Sequence, residues 1–435
     1  MLTWAARFNI CCFLDNHHYD LPGHSVECLL AAGSKDTIQA NAGNALGALH
    51  QFTKTYSGDR QDWLFGHFGY GLVRETEPDT ISAIRSQALK PDPVGFPDLF
   101  FFVPEILIEL ASDHIRIGTS GHNQPAILDQ ILQVPLTPPP AQSGVKRLQP
   151  ALSAIQEHSG LSMLPRFRED EYLQTVEKLQ AHILRGDCYE INFCQEFFSQ
   201  PAVIDPLRTW WLLSETSPNP FAGFYRLGER FLLCASPERY LKRTGDTIIS
   251  QPIKGTSPRA ANDPAADSVA RDQLYKSSKD RSENVMVVDL VRNDLSKICR
   301  EGTVGVTELF GIYSFPHVHQ MISTVQGTLN EGVGLADCIR ATFPMGSMTG
   351  APKHKVVSLI DQYERSARGL YSGAIGYVSP TGDFDFNVVI RSILYNHKEQ
   401  YLSYQVGSGI TYYSDPHREY DECLLKAEGM RRALL

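Results

Sequence analysis

Lys254 lies in the run Pro252-Ile253-Lys254-Gly255-Thr256. A lysine held in so stiff a frame suits an amine nucleophile. That chemistry needs its pKa pulled below about 10.4, by burial or a neighbouring cation. A solvated surface lysine fits the same five residues. Two carboxylate pairs offer a second chemistry. Asp280 and Glu283 are three apart, and so are Glu419 and Glu422. On a helix that spacing puts both members of a pair on one face. Two such helices facing each other would present four carboxylates to one point, which calls for a cation. Hard oxygen ligands suit Mg²⁺. Solvated helix faces are the other reading of that spacing.

Gly346-Ser347-Met348-Thr349-Gly350-Ala351-Pro352-Lys353 leads a small, glycine-rich loop into a helix, with Pro352 suited to the first helical position. Backbone N–H groups there, with Lys353, would face an anion. The run does not fit a Walker A loop, so the anion is as readily a carboxylate as a phosphate. A plain turn with a capped helix is the alternative. Gly407-Ser408-Gly409 allows close approach of a ligand, or marks a bulge. Arg391, among apolar neighbours, suits a bidentate carboxylate clamp or an exposed strand face. Glu238, in Ser236-Pro237-Glu238-Arg239, is a candidate proton donor or a turn carboxylate.

The elements that would position these groups follow from periodicity. Tyr172, Val176, Leu179 and Ile183 predict a helix that ends at Arg185-Gly186-Asp187. Strands are expected at 8–14, 188–198, 231–235, 247–249, 374–378, 384–395 and 401–406, with one buried strand along 99–110. Residues 265–297 read mostly as one long helix, and 419–434 as a closing helix. Many strands with a few helices among them predict an α+β chain. The proline-rich run 137–144 suits neither helix nor central strand, which divides the chain into 1–135, a linker at 136–165, and 166–435.

Composition bounds the rest. The 435 residues exceed what one hydrophobic core usually serves. A net charge of −9 argues against a nucleic-acid partner and leaves a small anionic ligand open. Nine scattered cysteines without a CxxC pair read as reduced thiols in a cytoplasmic protein. No apolar run reaches the roughly 18 residues of a membrane span, and no signal-peptide pattern opens the chain.

Taken in order, Gly186-Asp187-Cys188-Tyr189-Glu190-Ile191-Asn192, the Glu238, Lys254 and Thr349 runs, Ser282 to Asp294, Ile390-Arg391-Ser392 and Glu419-Tyr420-Asp421-Glu422 resemble the chorismate-utilising enzymes. These include anthranilate synthase component I, aminodeoxychorismate synthase component I, isochorismate synthase and salicylate synthase. The match is dense over 170–435 and loose over 1–135. The resemblance implies antiparallel sheets packed as a β-sandwich with helices outside. It implies an anthranilate synthase component I-like N-terminal region and a chorismate-binding catalytic domain. Lysine in the Pro-Ile-x-Gly-Thr motif looks like the branch that aminates C4, where anthranilate and isochorismate synthases typically carry alanine. The implied product is 4-amino-4-deoxychorismate, for 4-aminobenzoate and folate synthesis.

By the same resemblance, Mg²⁺ is held by Glu283 and Glu422, with Asp280 and Glu419 helping. Thr349, Gly350 and Lys353 hold carboxylate oxygens. Tyr377 and Arg391, near a Gly407–Gly409 turn, hold the enolpyruvyl carboxylate. Lys254 attacks C2 while Glu238 serves as acid. Ammonia comes from a separate glutamine amidotransferase subunit, since no Gly-x-Cys-x-Gly motif is present.

The chain also departs from the pattern. Gln320 stands where a histidine is common, with His319 one residue earlier and so on the opposite strand face. Glu190 replaces the lysine with which isochorismate synthases activate water, which disfavours water addition. Tyr70-Gly71 replaces a common Tyr-Asp. No Leu-Leu-Glu-Ser run lies near Leu14, so tryptophan feedback through it is not expected. The rival readings are anthranilate synthase component I, isochorismate synthase, and a non-catalytic chorismate-binding paralogue.

Overall fold

The strand Arg230–Ser236 shows how the layers form. Leu232 and Cys234 join one buried cluster, while Phe231, Leu233 and Ala235 join another on the opposite face. Alternate residues of a strand point to opposite sides, so an apolar run of this kind must be covered on both. One side meets a second sheet and the other meets helices. The computed structural model of the chain describes residues 1–19, 27–57, 60–78, 90–121, 123–134, 161–260 and 262–435.

Every strand pairing in the two sheets is antiparallel. The first sheet runs Gly350–Ala351, Glu190–Ser199, Tyr401–Ile410, Ser392–Asn396, Arg230–Ser236, Phe221–Leu227, Ile10–Asp15, Cys28–Ala32, Ile106–Leu110 and Ile115–Thr119. The second runs Ile253–Pro258, Val318–Thr328, Thr247–Gln251, Arg239–Thr244, Phe384–Asn387, Ala374–Val378, Leu64–Phe68, Leu99–Val103 and Asp36–Ala40. Phe65, Phe68, Phe101 and Ile375 of the second sheet share a core with Tyr225, Leu232 and Leu394 of the first. The helices Glu169–Leu184, Pro206–Thr216, Lys353–Tyr363 and Pro416–Ala433 cover the outer face of the first sheet. This is the α+β sandwich with outer helices that the resemblance implied.

Strands from 1–135 and from 166–435 are neighbours in both sheets. The expected linker falls mostly on residues 135–160, outside the described residues. Among the described residues no helix is long and apolar enough to cross a membrane.

Three expected elements are broken in two. The 265–297 helix is Pro264–Lys276 followed by Ser278–Ser296. Ser277 leaves the helical region, and its Oγ accepts a hydrogen bond from Asp280 N at 3.3 Å. This is an N-cap inside an apparently continuous helical pattern. The 99–110 strand breaks at Pro104-Glu105, and its halves Leu99–Val103 and Ile106–Leu110 lie in different sheets. The 384–395 strand breaks likewise into Phe384–Asn387 and Ser392–Asn396. Periodicity cannot reveal such a transfer, because an inter-sheet strand is apolar on both faces before and after it.

Candidate active site

Glu238 and Arg391 stand where two chain segments cross from one sheet to the other side by side. The first segment passes through Pro237-Glu238, between Arg230–Ser236 and Arg239–Thr244. The second passes through Val388 to Arg391. The register Cys234↔Ser392 and Arg239↔Asn387 brackets the crossing. Val388 N donates to Glu238 O at 3.0 Å, and Ala235 N donates to Arg391 O at 3.3 Å. Arg391 takes the left-handed φ of +52°, which turns the chain into the first sheet. Its guanidinium has no hydrogen-bond or ion-pair partner among the described residues. Burial holds it below the ordinary arginine range, against the influence of Tyr371 and Glu422. Glu238 is 4% exposed, and burial raises its carboxyl to about 7, with Ser347 and the Lys254 charge acting the other way.

Lys254 approaches from the second sheet. Ile253 pairs with Ile322 and Thr256 with Gln320, so Lys254-Gly255 forms a bulge. Gly255 has φ +98° and lies against Asp280. Bulges of this kind re-aim a side chain. Lys254 Nζ reaches across to the first sheet and donates to Glu190 Oε1 at 2.6 Å. The lysine was expected to have a lowered pKa, and the opposite is found. Burial alone would lower it, but Glu190, with Glu283 and Glu422 further off, raises it above the ordinary lysine range. A buried ammonium beside a carboxylate keeps its proton.

Gly409 makes this contact possible. A Cβ built there would stand 2.7 Å from Glu190 Oε1 and 2.8 Å from Lys254 Nζ. One built on Gly407 would stand 2.4 Å from Cys194 Sγ. Both glycines lie inside the strand Tyr401–Ile410 and not in the expected turn. Their small size serves close packing, not a change of direction.

The acidic helices do converge on this region. Ser278–Ser296 carries Asp280 and Glu283, and Pro416–Ala433 carries Glu419 and Glu422. Burial raises Glu283 to about 7, in spite of Lys254. Burial also opposes ionisation of Glu422, but Lys426, whose Nζ lies 2.7 Å from Glu422 Oε1, holds it below the usual range. Lys279 Nζ stands 3.8 Å from Glu283 Oε1 and 3.7 Å from Glu419 Oε1. Among the described residues no three acidic, histidine or cysteine side chains form a ready-made metal cage. The donors still suit a hard cation. Among the described residues Glu283 Oε1 is buried without a hydrogen bond, and Glu419 is buried beside it at the far side of Lys279.

Other expected site residues are placed differently. Tyr377 does not face Arg391. It packs on Trp63 and Phe65, and lines a separate cavity of about 70 Å³ with Leu14, Asn16 and Asp385. Tyr371, six residues earlier and buried, is the tyrosine that acts electrostatically on Arg391. Lys353 donates to Asp294 Oδ2 and, at 3.1 Å, to the Thr342 carbonyl. The anion at this helix start is therefore one the protein supplies itself. Pro352 precedes the helix as its N-cap, and Lys353 is the first helical residue. Thr349 is buried with Oγ1 donating to Met345 O at 2.9 Å, and Gly350 presses its α-carbon against the Glu190 carbonyl. His319 is held between Ser314 Oγ at 2.8 Å and Asp267 Oδ1 at 3.1 Å, while Gln320 Oε1 is buried without a hydrogen-bond partner among the described residues.

Glu238, Lys254, Arg391 and the acidic helices thus act on one another within one buried region. The chain belongs to the chorismate binding enzyme family, which it matches over residues 11–432. It is 42% identical over 286 residues to an aminodeoxychorismate synthase of Streptomyces pristinaespiralis, covering 66% of this chain and 38% of that protein. The chain thus spans well under half the length of that relative. It is 31% identical over 415 residues to aminodeoxychorismate synthase component 1 of Bacillus subtilis, covering 92% of this chain and 84% of that one. The structure is similar to that of anthranilate synthase component I from Streptococcus pneumoniae, with TM-score 0.73, 26% identity and coverage of 95% and 93%.

Proposed function

We propose that the chain aminates chorismate at C4 to give 4-amino-4-deoxychorismate, with ammonia delivered by a glutamine amidotransferase partner. The observation that carries this reading is Lys254 itself, a buried amine that a bulge aims across to Glu190 of the other sheet, near enough for its charge to act on Glu238. Lys254 attacks ring C2 as the C4 hydroxyl departs, and Glu238 supplies the proton that lets it leave as water. A carboxyl raised to about 7 is well matched to that task at neutral pH. Ammonia then adds at C4 and expels the lysine. Covalent catalysis divides one difficult substitution into two similar ones.

Arg391 and Tyr371 would hold the enolpyruvyl carboxylate. Glu283 and Glu422, supported by Asp280 and Glu419, would hold Mg²⁺, which when bound neutralises and orients the ring carboxylate. Gln320, unable to donate a full proton, leaves the acid role to Glu238. Anthranilate synthesis is the second reading, favoured by the likeness to the Streptococcus structure; it leaves Lys254 without a task.

The test is incubation of the purified chain with chorismate, Mg²⁺ and ammonium at alkaline pH. Aminodeoxychorismate is the expected product, with Lys254→Ala slowing its formation on the order of a thousandfold or more. Anthranilate or isochorismate as main product, or an unchanged Lys254→Ala rate, would sink the proposal. No turnover at all would favour a binding paralogue.

A further inference from the structure

We propose that Glu190 is the general base of the covalent step, taking from Lys254 the proton that keeps it an ammonium ion. This rests on the reading of Lys254 as nucleophile and adds a catalytic residue to it. Among the described residues, Glu190 is the sole hydrogen-bond acceptor of Lys254, at 2.6 Å, and Lys254 is the sole side chain that donates to the Glu190 carboxylate. The two come from different sheets and are brought together by separate devices. The bulge at Lys254-Gly255 aims the amine. Glu190 opens a strand whose backbone is clamped against Gly350, where a Cβ would stand 2.0 Å from the Glu190 carbonyl oxygen. Gly409 removes the one side chain that would part them. Glu238 is held apart on the sheet crossing, with Ser236 Oγ accepting from its backbone N–H at 3.2 Å. Two carboxylates thus meet two different protons: Glu190 faces the nucleophile and Glu238 faces the leaving group.

The step balances. Glu190 accepts a proton from the Lys254 ammonium. The freed lone pair forms the N–C2 bond, both ring double bonds shift one place, and the C4–O bond breaks. The oxygen leaves as water with the Glu238 proton. When ammonia adds at C4, the double bonds shift back and the C2–N bond breaks, so lysine departs as a neutral amine. Glu190 then returns its proton to Lys254, and the new C4 ammonium returns one to Glu238.

The alternative is that Glu190 is only a counter-charge that holds Lys254 protonated. The two roles predict opposite effects of its removal. The experiment is quenched-flow mass spectrometry of the Lys254 adduct, with chorismate and Mg²⁺ but no ammonia, at neutral pH. Base catalysis predicts that Glu190→Gln slows adduct formation on the order of a hundredfold, while chorismate binding changes less than about threefold. Glu190→Ala should be slowed similarly and be rescued by added formate in a concentration-dependent way. An undiminished rate in Glu190→Gln, or an alanine variant that formate does not rescue, overturns the role of Glu190. An adduct absent from the wild-type chain overturns both this role and the nucleophile reading.

Discussion

Gly409 and Lys254 are fitted to one another, since a Cβ on Gly409 would stand 2.8 Å from the lysine Nζ. Gly409 is not at positive φ, so alanine can adopt its backbone. The atoms it would meet are the tips of two flexible side chains, not backbone. Gly409→Ala should therefore fold with a nearly unchanged thermal midpoint while pushing Lys254 and Glu190 out of register. Displacement by about 1 Å in a reacting group costs on the order of a hundredfold in rate. Steady-state amination beside a melting curve checks this. A fully active variant would show that the Lys254–Glu190 contact is not needed.

Glu238 gives a pH-dependent signature. Its folded pKa, about 7 through burial, lies above the ordinary glutamate value of 4.5. The folded chain therefore binds the extra proton between those values, and stability falls as pH rises from about 4.5 to 7. Glutamine at this position is neutral throughout. Glu238→Gln should gain stability over the wild type as pH rises from about 5.5 to 8, by roughly 2 kcal/mol across the interval. Urea unfolding at the two pH values measures the difference. An unchanging gap would mean that the carboxyl titrates normally. The same variant should lose the wild-type decline of amination as pH rises through about 7, together with most of the activity.

The site was legible in the sequence where chemistry demands a residue type, and illegible where geometry chooses between like residues. Lys254, Glu238, Arg391 and the acidic pairs stand out by type and frame, and the structure brings them to one region. Tyr371 and Tyr377 are six residues apart, and nothing in one sequence says which faces Arg391. Only the strand at Ala374–Val378, which points Tyr377 at Trp63 and Phe65, decides. Lys353 looked like an anion ligand because its loop resembles an anion cradle. The anion is Asp294, 59 residues away in the chain, and no local pattern announces it. Glu190 was visible only as a departure. Its partner Lys254 is 64 residues on, across a sheet boundary that periodicity cannot detect. The same limit hid the breaks at Pro104-Glu105 and Val388 to Arg391.

Arg391 combines a guanidinium unpaired among the described residues with a left-handed backbone. Lysine keeps the charge but not the planar fork that grips a carboxylate by two hydrogen bonds. Arg391→Lys should fold and should raise KM for chorismate on the order of tenfold or more, with a smaller change in kcat. Arg391→Gly relieves the positive φ while deleting the cation. It should match or exceed the wild type in thermal stability and lose substrate binding more completely. Wild-type KM in the lysine variant would place the carboxylate clamp elsewhere.

The acidic helices make the sharpest demand on an added ion. Among the described residues Lys279 stands between Glu283 and Glu419 as the nearest positive charge, and Glu283 Oε1 is buried with no hydrogen bond. The Lys279 side chain is 59% exposed, so it can swing into solvent at small cost. A divalent cation entering there replaces a loose ion pair with direct oxygen ligation. Mg²⁺ should accordingly raise the thermal midpoint of the wild-type chain, the rise continuing with the logarithm of Mg²⁺ concentration once it exceeds Kd. Glu283→Gln should weaken Mg²⁺ binding tenfold or more in calorimetry, by about 1.4 kcal/mol at least, and flatten that rise. Lys279→Met removes the competing cation and should tighten Mg²⁺ binding. It should also destabilise the metal-free chain, because Glu283 and Glu419 then lose the cation between them. Chelation of Mg²⁺ should stop amination in all three proteins. A midpoint that rises with Mg²⁺ as steeply in Glu283→Gln as in the wild type would remove Glu283 from the metal site. It would leave the buried, unpaired Oε1 to be satisfied by substrate or water.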